Sequence, residues 1–285
     1  MKIDVLARAW GTPAGASNGM AMAAGFLAET LRALGHEVRQ LAALEGFGAD
    51  LVITTISATW HHTAPAWAAH RSMEHLVYWH HASGVPEGHG ALLAAPPVIE
   101  RQTGWARQVV LPPSSWAAEA GGECTGGDIV VAGAGPPKGG HVALAAARLC
   151  PDLRWYVLQG RSAPSDREPW LAIPGAELAP GVVAPDHLLG RARAILSPTR
   201  FEVHPLLLVE AAVRGIPIVC TDMPATRAAA GENAIYVPMQ APAEDWAAAL
   251  RGALAFKAWP HLKLRPYAEV VADALEQLVE RRAAA

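Results

Sequence analysis

The chain has 285 residues and a net charge of -3, with 52% hydrophobic and 17% charged residues. That balance excludes a disordered chain, which needs high charge and low hydrophobicity, and a strongly basic, general nucleic-acid binder. The length allows one large domain or two of ordinary size.

Short apolar runs alternate with longer helical patterns, which predicts an α/β fold with parallel sheets. Strands are expected at 3–7, 50–54, 76–79 and 108–111. The chain opens directly on a strand, without the long apolar stretch of a signal peptide. A glycine-bearing loop, 11–19, follows it. A helix is expected from Met20 to Leu34, stopped by Gly35 as a C-terminal cap. The run 120–127, with Gly121, Gly122, Gly126 and Gly127, is the best linker.

Beyond the linker the pattern restarts. Strands are expected at 128–132, 153–158, 194–197 and 217–221, and helices at 141–149 and 205–214. A glycine-proline loop, 133–140, follows the first of these strands. The tail, 267–282, reads as an amphipathic helix. The expected domains are 1–122 and 127–265. Residues 266–285 would form a helix able to pack back on the first. Residues 1–126 hold seven Lys and Arg against ten Asp and Glu, whereas 127–285 hold sixteen of each. A ligand cleft between two such halves would lie at the carboxyl ends of both sheets.

Cys124, Cys150 and Cys220 are widely spaced and include no Cys-x-x-Cys pair. They fit neither a disulfide framework nor a zinc site, and suggest a reducing compartment. No apolar run approaches the ~18 residues of a membrane span. The expectation is a cytoplasmic protein with no stable membrane insertion.

The most informative segment is 197–222. A strand ends, a loop presents Glu202, and a helix begins near Pro205, a residue suited to a first helical turn. Glu210 then falls on an apolar helix face. A carboxylate there can accept two hydrogen bonds from a vicinal diol. Taken alone, Glu210 reads more readily as a buried acid paired to a cation, or as part of an exposed face.

The segment as a whole resembles the C-terminal signature of retaining GT-B glycosyltransferases, in particular glycosyltransferase family four. The matching positions are Glu202 and Glu210, then Gly215, Pro217, Val219, Thr221 and Asp222. The resemblance implies two Rossmann-like domains with parallel sheets facing a central cleft. It implies that Glu210 binds the ribose hydroxyls of a sugar nucleotide and that Glu202 contacts the transferred sugar. The backbone amides of Val203, His204, Pro205 and Leu206, at a helix N-terminus, would receive phosphate or sugar oxygens. Where the family usually has Gly-Phe-Gly, this chain has Val203-His204-Pro205.

The stretch from Asp128 to His141 resembles the family's strand, Arg, loop and Lys-Gly pattern. Lys138 would neutralise the diphosphate, with Gly133 beside it. The family's Arg lies five or six residues before the Lys, at positions held here by Gly133 and Ala132. Arg161 and Arg200 are the candidates to replace it. Gly133-Ala134-Gly135 also suggests a dinucleotide loop, but Lys138 occupies the third glycine position and no acid ends the next strand.

The N-terminal run with Asn18 and Gly19 matches the family's opening, a loop over the donor sugar and phosphates. His80 and His81 follow a strand end, where relatives place a His against donor or acceptor. His61 and His62 follow another. The resemblance calls for no metal and no resident cofactor; the donor is a co-substrate, expected to be a UDP- or GDP-sugar. Ten Trp outnumber four Tyr and four Phe, and Trp60, Trp67, Trp79, Trp105 and Trp116 crowd the first half. Some would line an acceptor site, though each singly reads as core.

The function expected is transfer of a sugar to an acceptor hydroxyl on a small molecule, a glycan or modified DNA. Alternatives are a compact phage-type enzyme glucosylating hydroxymethylated DNA bases, a sugar-nucleotide epimerase, and a non-catalytic sugar-nucleotide binder.

Overall fold

The computed structural model describes residues 1–7, 19–42, 49–55, 74–79, 90–93, 107–121, 124–160, 162–179 and 183–283. They form two compact units, residues 1–116 with 264–285, and residues 117–263.

The first unit holds strands β1 (Lys2–Leu6), β2 (Glu37–Leu41), β3 (Leu51–Thr55), β4 (Glu74–Trp79), β5 (Gly90–Leu93) and β6 (Arg107–Val110). They build one parallel sheet in the order β2-β1-β3-β4-β5-β6. Helix α1 (Gly19–Ala33) follows β1 and is buried along most of its length. Gly35, with φ of 85°, turns the chain out of this helix and into β2. That left-handed geometry is one a side chain would resist.

β2 and β5 have no counterpart among the expected strands. β2 is an edge strand with exposed Glu37, Arg39 and Gln40, so it shows no apolar run. β5 is Gly-Ala-Leu-Leu, a weak strand former.

Two cores hold the second unit. Its strands are β7 (Asp128–Val131), β8 (Arg154–Val157), β9 (Ala176–Leu178), β10 (Ala192–Ser197), β11 (Ile218–Thr221) and β12 (Ala234–Val237). All pair in parallel, in the order β12-β11-β10-β7-β8-β9. Its helices are α2 (Trp116–Ala120), α3 (Gly140–Arg148), α4 (Pro164–Arg167), α5 (Pro185–Arg191), α6 (Leu206–Val213), α7 (Pro224–Ala230) and α8 (Ala243–Ala255). The unit boundary falls at Trp116, ahead of the 120–127 stretch. Trp116 packs edge-on against Phe26 of the first unit, whereas Ala118 belongs to the core of the second.

The central strands β7, β10 and β11 are nearly all apolar because both faces are covered. On one face, Ala143, Ala146 and Ala147 of α3 let that helix approach closely, beside Trp246, Leu250 and Ala253 of α8. Both sets follow helical spacing. Trp155 and Trp170 fill the same core, with ring centroids 6.2 Å apart. Cys150 and Cys220 are buried in these cores, and burial pushes the Cys220 thiol up to about 12.

The final helix, α9 (Tyr267–Ala283), belongs to the first unit and packs on α1 and β6. Tyr267, Val271 and Ala274 form its buried stripe, and Tyr267 stacks on Phe26 at 5.1 Å.

The charge at the start of β7 has a structural role. Buried Asp128 accepts from Arg191 at 2.8 Å and pairs with Arg154 at 2.9 Å. Arg191 also binds Glu177 and lies over the Tyr156 ring, 3.9 Å from its centroid. This network closes the amino end of the sheet.

Trp170 is fully buried in the core of the second unit. Trp170→Ala should lower unfolding free energy in urea by about 3–5 kcal/mol; a loss within about 0.5 kcal/mol, the range of surface substitutions, would contradict this packing.

Candidate functional site

In the second sheet the strand order reverses between β7 and β10. The connections leaving these neighbours run to opposite sides, and the crevice beyond their carboxyl ends is where such sheets bind ligands. Two loops meet there. One joins β7 to α3, and the other joins β10 to α6.

The first loop, 132–139, contains a short 3-10 turn, Pro136–Lys138. Gly139 ends it with φ of 68°, and a Cβ there would lie 1.8 Å from the carbonyl oxygen of Pro198. No side chain fits between the loops at that point. The second loop, 198–205, is bonded to the first through backbone. The Arg200 N–H donates to the carbonyl of Pro137 at 3.0 Å. The buried Thr199 hydroxyl reaches the carbonyls of Phe201 at 3.1 Å and Pro137 at 3.4 Å.

This knitting puts Lys138 and Glu202 together as an ion pair. The Glu202 side chain is 16% exposed and that of Lys138 43%. A pair with so exposed a lysine stabilises only modestly, so it can be exchanged for a ligand contact. Gly133 is buried at the base of the first loop; a Cβ there would meet Cβ and Cγ of Lys138 at 2.9 Å.

Helix α6 begins at Leu206, with Pro205 as N-cap. This corrects one part of the sequence reading. Pro205 has no N–H and cannot donate to a phosphate or sugar oxygen. Its carbonyl instead accepts from Leu208 and Val209, at 3.0 and 3.3 Å. The first helical amides belong to Leu206 and Leu207, and amides at this position lack an intrahelical acceptor. Val203 is buried beneath the loop, while His204 and Leu206 are half-buried. Desolvation pushes the His204 imidazole down to about 4, so it is neutral at pH 7. Glu210 is buried in α6, among Leu208, Val209, Ala211 and Ala212.

The structure therefore gathers Lys138, Gly133, Glu202, His204 and the start of α6 at one strand pair, with Glu210 inside the same helix. Gly19 lies in the first unit, as the first residue of α1. Asn18, His80, His81, His61, His62, Trp60, Trp67 and Trp105 lie outside the described residues. Trp79 ends β4, and Trp116 packs in the first unit's core. The sequence reading did not include Thr199 or the Pro137 carbonyl. A backbone acceptor leaves no signature in a sequence, and a lone Thr after a strand is common.

Residues 128–255 match the family model of glycosyl transferases group 1. The match lies wholly within the second unit. Both the Lys138 and Glu202 loops and all of α6 fall inside the group 1 match. Solved structures agree over the whole chain. AviGT4, a glycosyltransferase involved in avilamycin A biosynthesis, is 17% identical with a TM-score of 0.72, over 100% of this chain and 98% of that one. Sucrose-phosphate synthase from Thermosynechococcus elongatus is 16% identical with a TM-score of 0.69, over 97% and 94%. Anabaena HepE, solved with UDP and glucose, is 13% identical with a TM-score of 0.62, over 99% of this chain and 97% of that one. The fold is GT-B. A comparison with curated proteins gives no match. Among the described residues, no cluster of His, Cys, Asp and Glu could hold a metal ion, and no helix is long and apolar enough to cross a membrane.

His204 supplies a test of the loop's packing. Its folded imidazole holds a proton less tightly than the unfolded one, whose ordinary value is 6.5. Stability contributed by the neutral ring is therefore complete above about 6.5 and is lost as pH falls toward about 4. His204→Gln should flatten the fall in Tm across that window; parallel Tm profiles for both proteins would contradict the desolvation of this ring.

Proposed function

We propose that this protein transfers a sugar from a nucleoside diphosphate sugar to an acceptor hydroxyl, with retention of anomeric configuration and without a metal ion. The observation that carries the reading is the meeting of Lys138 and Glu202 at the β7–β10 switch point, with buried Glu210 in the helix that follows.

Each group has a chemical task on this reading. Lys138 binds the diphosphate and stabilises the negative charge that grows as the sugar–phosphate bond breaks. The amides of Leu206 and Leu207, at the positive end of α6, add to that stabilisation. Glu202, released from Lys138, accepts hydrogen bonds from hydroxyls of the transferred sugar. Glu210 accepts from the two ribose hydroxyls. Neutral His204 and buried Val203 shape the wall beside the sugar.

In the reaction the bond from the anomeric carbon to the phosphate oxygen breaks, and the nucleoside diphosphate leaves with that electron pair. The acceptor oxygen bonds to the same face of the anomeric carbon. Its proton passes to the departing phosphate. No protein carboxylate is consumed as nucleophile, which leaves Glu202 free to hold the hydroxyls of the transferred sugar. The HepE structure, solved with UDP and glucose, supports a UDP-sugar as the donor to test first. Residues of the first unit, His80 and His81 among them, would serve the acceptor side with Asn18 and Gly19 near the donor.

Glu210→Gln and Lys138→Ala should each lower kcat/KM for sugar transfer about 100-fold or more, with the fold retained by circular dichroism. Unchanged kinetics in both would overturn the assignment. Proton NMR of the glycoside formed should show the donor's own anomeric configuration; the opposite anomer would contradict the retaining route.

A further inference from the structure

We propose that Arg200 supplies the second positive charge of the donor site and contacts the diphosphate together with Lys138. This rests on the donor reading above and names a residue that reading does not use.

The inference starts from charge. A nucleoside diphosphate carries at least two negative charges at neutral pH. The loop after β7 offers one cation, Lys138, and in the ligand-free protein Glu202 balances it. The remaining side chains of that loop, 132–137, are Ala, Gly and Pro. The paired site is formally neutral and cannot attract a dianion by itself.

Arg200 is the cation that the backbone brings to this place. It lies two residues before Glu202, on the same loop. Its N–H is bonded to the carbonyl of Pro137, the residue directly before Lys138. The flanking turn is braced by buried Thr199. The backbone under Arg200 is thus fixed against the Lys138 loop, while its side chain is exposed and makes no hydrogen bond or ion pair among the described residues.

That combination is unlike the structural arginines of the same unit. Arg191, Arg214, Arg227 and Arg251 are all committed to carboxylates. A guanidinium on a fixed backbone loses less freedom on binding and can bond two phosphate oxygens at once. Two cations facing a diphosphate also restore positive charge when Glu202 turns to the sugar.

Binding of UDP, GDP, ADP and dTDP to the full chain is measured by calorimetry without acceptor, so that acceptor contacts play no part. The matching nucleosides are measured in parallel. Arg200→Ala should weaken the nucleoside diphosphate that binds by about tenfold or more. It should leave the affinity for the nucleoside within twofold, because only the phosphate contact is lost. Arg200→Lys should recover part of the loss. Arg193→Ala, an exposed arginine at the start of β10, should change neither, and all variants should keep the parent Tm.

If Arg200→Ala leaves diphosphate affinity within twofold while Lys138→Ala weakens it, the role of Arg200 is overturned and the donor site stands. An equal loss for diphosphate and nucleoside also overturns it, since the effect is then on loop structure. If the parent protein binds no nucleoside diphosphate, the donor reading itself fails, and this proposal with it.

Discussion

The carbonyl of Pro137 ties two loops together, and the arrangement of charge in the second unit follows from that tie. It accepts from the Arg200 amide, with the Thr199 hydroxyl in reach. Gly139 allows the contact by offering no Cβ where Pro198 presses in. Because the loops belong to β7 and β10, the contact sits where the strand order reverses. Lys138 and Glu202 meet there as a consequence, although 64 positions separate them in the chain.

This arrangement divides the sheet into two ends with different electrostatics. At the amino end, Asp128, Arg154, Arg191 and Glu177 form a closed network around the Tyr156 ring. These charges satisfy one another and hold strands together. At the carboxyl end, Lys138 and Glu202 are paired but partly exposed, and among the described residues Arg200 is held by its backbone alone. A network that must exchange partners with a ligand works best when its charges are not fully buried, because deep burial would make the separated state costly.

The central strands β7, β8, β10 and β11 were legible from apolar runs alone, because both sheet faces are covered and these strands need no polar side. Glu202, Glu210 and Lys138 were singled out by the motif they share with the family the chain resembles; a lone buried Glu on an apolar helix face reads first as an ion-pair partner. Two features were not legible. The edge strands β2 and β9 carry exposed or few residues, so burial leaves no pattern on them. The pairing of Lys138 with Glu202 depends on strand order, and neither residue's local sequence encodes which strand lies next to its own. Pro205 shows the reverse case. Its position at a helix start was readable, yet its missing N–H removes one donor from the expected anion site.

The cluster at β7 and β10 is tested most directly by amide hydrogen exchange of the full protein with and without UDP. Protection should concentrate in residues 132–140 and 199–210, where the two loops and the start of α6 meet. Protection confined to the amino end of the sheet, around Asp128 and Arg191, with those two stretches unchanged, would contradict the placement of the site.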